Sequence, residues 1–193
     1  MSVKLNCSSS GSVALSAPAS TALGADVVLN LPSHAGSLDR LERAGNILQV
    51  VNATTGTLVS NTNTTFVDTT LSASITPTSA SSKILVLVNQ TYYMASSGTY
   101  MGNGIRVLRD STVLYQPNGD EAPSTVGSYD FYHNDTGATG NSGYGKGSIT
   151  LLDSPNTTSA TTYKTQGRSY GVSTVTYQIA EAYSTITLLE VAA

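Results

Sequence analysis

Hydrophobic and polar residues alternate with a period of two over most of the chain beyond residue 45. This period predicts half-buried strands, because successive side chains of a strand point to opposite faces. Gly, Pro, Asn and Asp cluster between the alternating stretches and predict turns. The predicted strands span 47–52, 64–68, 72–76, 82–94, 104–108, 111–115, 129–132, 148–152, 170–179 and 185–191.

The longest predicted strand, 82–94, contains the aliphatic run Ile84–Val88. Its aliphatic side chains fall on both faces, which predicts a central strand that is covered on two sides. Arg109-Asp110 separates two further strands and predicts a tight hairpin.

The first 45 residues differ from the remainder and form a separate predicted region. Two short alternating stretches, 12–15 and 26–31, each precede a proline. Residues 37–43 predict one or two helical turns, with Ser37 as N-cap and Gly45 as stop. Because two isolated strands bury little surface, we expect this arm to rest on a partner or on the main domain. The predicted organisation is an N-terminal arm over 1–45 and a β-domain over 46–193.

Composition supports strands rather than disorder. The chain has 54 Ser plus Thr and 11 Tyr, and only 11% of its residues are charged. Disordered chains are rich in charge and poor in aromatic and β-branched residues. The predicted fold is all-β, an antiparallel, jelly-roll-like β-sandwich with a short extended N-terminal arm.

Charge and cysteine content exclude several classes of protein. The net charge is −3, and the nine basic residues are scattered, which argues against a nucleic-acid partner. The single cysteine, Cys7, excludes an intramolecular disulfide framework. No apolar leader follows Met1, and no stretch is long enough for a membrane helix, so we expect synthesis in a cytoplasm without membrane insertion.

Several stretches resemble the C-terminal β-domain of tail-fibre-like virion structural proteins of marine and cyanobacterial tailed phages. They are 47–51, 66–77, 81–88, 105–110, 152–155, 161–164 and 184–191, and they cover most of residues 46–193. The resemblance implies a β-sandwich module, usually trimeric, that is displayed on the virion. The family has no catalytic motif to transfer. Typical fibres have a longer N-terminal part, so a head-decoration protein built from the same module is the alternative.

Candidate catalytic and metal-binding groups are few. His34 and His133 lie about a hundred residues apart without a nucleophile elbow, and surface or hydrogen-bonding roles are favoured for both. The acidic clusters Asp120-Glu121 and Asp130/Asp135 lie in turn-rich sequence, where short acids usually cap turns. Calcium at these oxygens is the less favoured interpretation, and we expect no cofactor.

The segment 137–147 is the richest in glycine and predicts a long exposed loop. Tyr129, Tyr132, Tyr144 and Lys146 form the candidate recognition loop, because tyrosine offers a large contact area with few rotors to order. We therefore expect residues 117–147 to hold loops that meet a host glycan or a neighbouring capsomer.

The resulting expectation is a non-enzymatic structural protein on the outer surface of a phage particle. A homotrimeric tail-fibre or adhesin module is the first hypothesis, and a capsid decoration (cement) protein is the alternative. A glycan hydrolase is the third and least favoured. The expected partners are other copies of the chain, a tail or major capsid protein, and a host surface glycan.

Overall fold

The computed structural model of the protein describes residues 43–98, 100–117, 131–134, 140–169 and 173–193. These residues form strands and turns, and none of them is helical. The strands are β1 (Ile47–Thr55), β2 (Val59–Asn61), β3 (Val67–Ile75), β4 (Lys83–Ser96), β5 (Tyr100–Arg109), β6 (Thr112–Tyr115), β7 (Phe131–Asn134), β8 (Asn141–Asp153), β9 (Thr161–Ser169), β10 (Ser173–Tyr177) and β11 (Ser184–Val191).

The larger sheet is arranged around β4. Its strand order is β1-β11-β4-β10-β2, and β8 pairs with the other side of β4. The first half of β4 pairs with β11 and its second half pairs with β10, whereas β8 follows β4 along almost its whole length. All of these pairings are antiparallel.

The smaller sheet has the order β3-β9-β5-β6, and β7 pairs with the beginning of β5. Aliphatic and aromatic side chains from both sheets form one buried core between them, which includes Leu71, Ile84, Ile105, Tyr177 and Leu188. Two antiparallel sheets that pack face to face form a β-sandwich, and this confirms the predicted fold class.

Polar side chains also join the two sheets within the core. The Gln90 amide accepts hydrogen bonds from Thr165 Oγ1 at 2.8 Å and from Thr69 Oγ1 at 3.2 Å, both in the smaller sheet. The same amide donates to Ser184 Oγ of β11 at 2.9 Å. These four residues are buried, so each polar group needs a protein partner, and the network supplies it.

A charged cluster joins the sheets at one end of the sandwich. Arg109 Nη1 of β5 lies 2.8 Å from both carboxylate oxygens of Asp153 at the end of β8. The Tyr163 hydroxyl of β9 donates to the same carboxylate at 2.7 Å. Burial, and then the hydrogen bond to Asp153, raise the pKa of Tyr163, which keeps its hydroxyl protonated and able to donate.

The strand predictions are corrected in several places. The predicted strands 64–68 and 72–76 are one strand, β3, whose pairing with β9 is irregular between Asp68 and Ser72. Thr70, within that irregularity, has a φ of 66°, as expected where a bulge interrupts a ladder. Strands β2 and β9 are absent from the sequence prediction. Of the predicted stretch 170–179, the described part, 173–179, holds the short β10 and then leaves the sheet.

The prediction that β4 is central is confirmed, but the prediction that both of its faces are covered is wrong. Ile84, Val86 and Val88 point into the core and are buried, whereas Leu87 on the other face is 37% exposed. The arm predicted over 1–45 and the helical turns over 37–43 lie largely outside the described residues. None of the described residues belongs to a helix that is long and apolar enough to cross a membrane.

Candidate functional site

A surface pocket lies where the neighbour of β4 changes from β11 to β10. Asn89 is the last β4 residue that pairs with β11, and Tyr92 is the first that pairs with β10. Between these residues the chain from β10 to β11 leaves the sheet as the loop 178–183, here called the β10–β11 loop. The opening is a pocket of about 310 Å³ that we call the outer-face pocket.

Three elements supply the described residues that line this pocket. They are Thr91 and Tyr92 of β4, residues 144–146 of β8, and Ile179 and Ala182 of the β10–β11 loop. Two tyrosines, an isoleucine, an alanine and a lysine are thus among the residues that line a space at the lower end of the range for small-molecule sites.

Tyr144 is oriented by its neighbour across the sheet. It lies directly opposite Tyr93 in the pairing of β8 with β4, and the ring centroids are 4.8 Å apart at 47°. Such aromatic pairs favour a defined ring orientation. Tyr144 nevertheless remains 73% exposed, so most of its ring surface is open to a ligand.

The segment predicted as a glycine-rich exposed loop is a strand from residue 141 onward. Its glycines alternate with larger residues and lie on the inner face of β8. A Cβ atom at Gly145 would approach the Tyr92 ring to 2.5 Å, and one at Gly147 would approach Ile105 Cδ1 to 2.7 Å. The glycines therefore make room for large core side chains, which sequence alone does not reveal.

The β10–β11 loop has an unusual backbone. Gln178, Ala180 and Glu181 have φ values of 54°, 53° and 60°, a region that residues other than glycine rarely adopt. Such conformations persist only where surrounding contacts impose them, and they cluster at functional sites. Here Gln178 Nε2 donates to the buried Ser184 Oγ at 2.8 Å, and Ala182 N donates to Ile179 O at 3.0 Å. These contacts hold the pocket wall in place.

The outer face of the strands beside the pocket carries charge of one sign, and the nearest acid in the β10–β11 loop is Glu181. Lys146 lies opposite Thr91 in the pairing of β8 with β4, on the face of the larger sheet that points away from the core. On this outer face, the described positions of β1, β4, β8 and β11 carry two charged side chains, Lys83 and Lys146, and no acid. The chain as a whole has 12 acidic and 9 basic residues, so this face is positive by arrangement rather than by composition.

The structure separates the members of the predicted recognition loop. Tyr144 and Lys146 both lie on β8 and line the outer-face pocket. Tyr132 belongs to β7, which pairs with β5 in the smaller sheet. Tyr129 lies outside the described residues. The prediction that these residues share one loop is therefore wrong for the described members, Tyr132, Tyr144 and Lys146. Their role in recognition stays a prediction.

Sequence reasoning missed the remaining pocket residues. Ile179 and Ala182 carry no glycine or asparagine signal beside them that would predict a left-handed turn. The predicted strand 170–179 also extends past the end of β10 at Tyr177, so the start of the β10–β11 loop was not predicted. The sequence around Tyr92 predicts a strand position and nothing about a pocket. Only the tertiary structure places the Tyr92 ring next to Gly145.

The other candidate groups do not form a site among the described residues. His133 lies in β7, whereas His34 and the acidic pairs Asp120-Glu121 and Asp130/Asp135 fall outside the described ranges. Within those ranges, no three His, Cys, Asp or Glu residues lie close enough together to hold a metal ion.

No protein-family model matches the sequence, and no curated protein matches it significantly.

Proposed function

We propose that this chain is a non-enzymatic structural module on the outer surface of a tailed bacteriophage particle, of the tail-fibre or adhesin type. Two arguments support the proposal. The sequence resembles the β-domain of such proteins, and the outer-face pocket offers a recognition site on a rigid sheet. The pocket is the observation that carries the proposal, because an exposed tyrosine ring beside a lysine suits recognition of a ligand.

Immunogold labelling of intact particles with antibody to this chain tests the proposed location. Gold on the tail or its appendages is the expected result. Intact particles without gold, prepared from a lysate that contains the protein, would contradict a virion role.

Binding of the purified protein to host cells tests the adhesin role. We expect Tyr144→Ala to weaken cell binding, because it removes the most exposed ring of the pocket. Tyr183→Ala is the matched control, since Tyr183 is 66% exposed and lies outside the pocket lining. Equal cell binding by the unsubstituted protein and both variants would exclude this pocket as the attachment site.

The proposal includes assembly as a homotrimer. Strand β8 has 13 residues, and among the described strands it pairs only with β4. A long edge strand presents unpaired backbone groups, which a neighbouring subunit can cover. Light scattering at micromolar concentration is expected to give three times the 19.9 kDa mass of one chain. The mass of a single chain would contradict the trimer.

A capsid decoration protein is the second candidate, and one observation favours it. Val50, Leu189, Leu85 and Leu152 lie side by side across four strands on the outer face of the larger sheet. Val50 and Leu152, at the two ends of this apolar row, are 57% and 56% exposed. A flat apolar row next to Lys83, on a face without acids, fits the acidic surface of a second protein, which for this candidate is the major capsid protein.

Two measurements separate the candidates. A decoration protein would place gold over the head, and Leu152→Ser would lower the temperature at which capsids release their DNA. Thr150→Ser, two residues earlier on the same exposed face, is the control. Gold confined to the tail, with unchanged heads, would exclude this candidate.

A further inference from the structure

We infer that the outer-face pocket binds a saccharide that carries a carboxylate, with Tyr144 against the sugar ring and Lys146 paired with the acid. This inference rests on the proposed recognition role and names the class of ligand for the same site. It depends on the shape of the pocket, the chemistry of its walls and the charge of the face around it.

The lining of the pocket suits the apolar face of a sugar ring. It includes Tyr144, whose ring is largely exposed, and the aliphatic residues Ile179 and Ala182 of the β10–β11 loop. One flank of the Tyr144 ring already packs against Tyr93, so a ligand meets a ring that is held in position. A pre-oriented ring loses little freedom on binding, and this raises the affinity for a flat ligand.

The surface beside the pocket supplies partners for hydroxyl groups. On the outer face, the rows next to it carry the short hydroxyl and amide side chains Asn89, Ser148, Thr150, Thr185 and Thr187, together with Leu87. Of the polar side chains, Asn89, Ser148 and Thr150 are exposed. A saccharide chain that leaves the pocket along β8 would thus continue over donors and acceptors. A purely apolar ligand would leave this polar surface unused.

The positive charge of Lys146 favours a saccharide that carries a carboxylate over a neutral saccharide. Lys146 lines the pocket, and no aspartate or glutamate is among its described lining residues. Glu181 lies nearby in the β10–β11 loop, is exposed, and does not line the pocket. An ammonium group with a ligand carboxylate forms a charge-assisted pair, whereas a neutral sugar offers only hydroxyl groups at that position.

Titration of the full-length ¹⁵N-labelled protein with two probes tests the inference. Methyl β-glucuronide and methyl β-glucoside differ only in the carboxylate, so their affinity ratio isolates the contribution of charge. We expect both sugars to shift the amides of Gly145, Lys146, Ile179 and Ala182. We expect the glucuronide to bind about 2–5-fold more tightly at low salt, the range for an exposed ion pair. This preference should decrease as salt is added.

Matched variants assign the two roles. Lys146→Gln should abolish the preference for the glucuronide, whereas Lys83→Gln on the same face should leave it unchanged. Tyr144→Ala should weaken the binding of both sugars about 5–10-fold, the effect of losing one aromatic contact. Tyr183→Ala should leave the affinity for both sugars unchanged.

Three results would overturn the inference. In the first, pocket amides do not respond to either sugar at millimolar concentration. In the second, the glucuronide preference survives in Lys146→Gln. In the third, a purified virion protein shifts these amides and the sugars do not.

The proposed function fails by a different result. A particle that lacks this chain would overturn the virion role whatever the sugars do. Host-cell binding that persists in Tyr144→Ala and Lys146→Gln would overturn the saccharide site and leave the adhesin role standing.

Discussion

Tyr92 fills the space that a side chain at position 145 would need. A Cβ atom built on Gly145 lies 2.5 Å from the Tyr92 ring, which is far inside van der Waals contact. Because Tyr92 is buried, its ring cannot swing freely into solvent. The glycine on β8 and the tyrosine on β4 therefore depend on one another, and together they form part of the outer-face pocket.

Gly145→Ala is expected to destabilise the protein by about 1–3 kcal/mol, because overpacking forces the Tyr92 ring or the β8 backbone to move. Gly143→Ala is the matched control, since its Cβ would meet only Met101 Cε at an ordinary 3.8 Å. The control should change the free energy of unfolding by less than about 0.5 kcal/mol. Urea denaturation measures both, and equal effects would contradict the packing argument.

Gln90→Ala is expected to lower the free energy of unfolding by about 3 kcal/mol or more. The substitution opens a cavity and removes the amide that bonds Thr165 and Ser184 in opposite sheets. Asn89→Ala, at the next residue on the exposed outer face, should cost less than about 0.5 kcal/mol. A loss below about 1 kcal/mol for Gln90→Ala would show that the buried network contributes little.

Asp153→Ala is expected to destabilise the sandwich by about 2–3 kcal/mol, because it removes the charged acceptor of a partly buried Arg109 and of a buried Tyr163 hydroxyl. Thr150→Ala on the exposed face of the same strand is the control. A double-mutant cycle with Tyr163→Phe should give a coupling energy of about 1–3 kcal/mol. Strict additivity would mean that the hydroxyl and the carboxylate act independently.

Stability should fall in acid, and Glu190 should account for part of the loss. Burial acts to raise its pKa, but hydrogen bonds from Gln49 and Thr78 outweigh it and hold the pKa of Glu190 below its ordinary value of 4.5. Because the folded state binds this proton less readily than the unfolded state, the stabilisation is present above pH 4.5 and is lost as the pH falls through the folded pKa.

Glu190→Gln measures this contribution directly. At pH 7 we expect it to cost about 1–2 kcal/mol, since hydrogen bonds to a charged acceptor are stronger than those to a neutral one. Its unfolding free energy should also fall less steeply in acid than that of the unsubstituted protein. Comparing the pH profiles of the two proteins is needed because Asp68 also contributes to the loss of stability in acid. Burial acts to raise the pKa of Asp68, but hydrogen bonds from Gln166 and Lys164 outweigh it and lower the pKa. Glu181→Gln in the exposed β10–β11 loop is the control, and parallel pH profiles for all three proteins would contradict the assignment.

The sequence alone determined that the described part of the chain is all-β and where most of its strands lie. Alternation is a local signal, because the side-chain period of a strand depends only on its own backbone. Strands β1, β4, β5 and β11 carry that signal in branched aliphatic residues, and each lies where the pattern predicts it. Strand β9 alternates polar with polar or glycine over much of its length and gave no such signal.

Only the tertiary structure decided how the candidate site is assembled. The glycines of residues 143–147 suit a loop and a strand equally well, and Tyr92 and Ile105 on other strands resolve the choice. Tyr144 and Ala182 are distant in sequence but share one pocket, because β4 changes its neighbour at Thr91. Which side chains meet depends on register and on contacts between strands, and a local pattern contains neither.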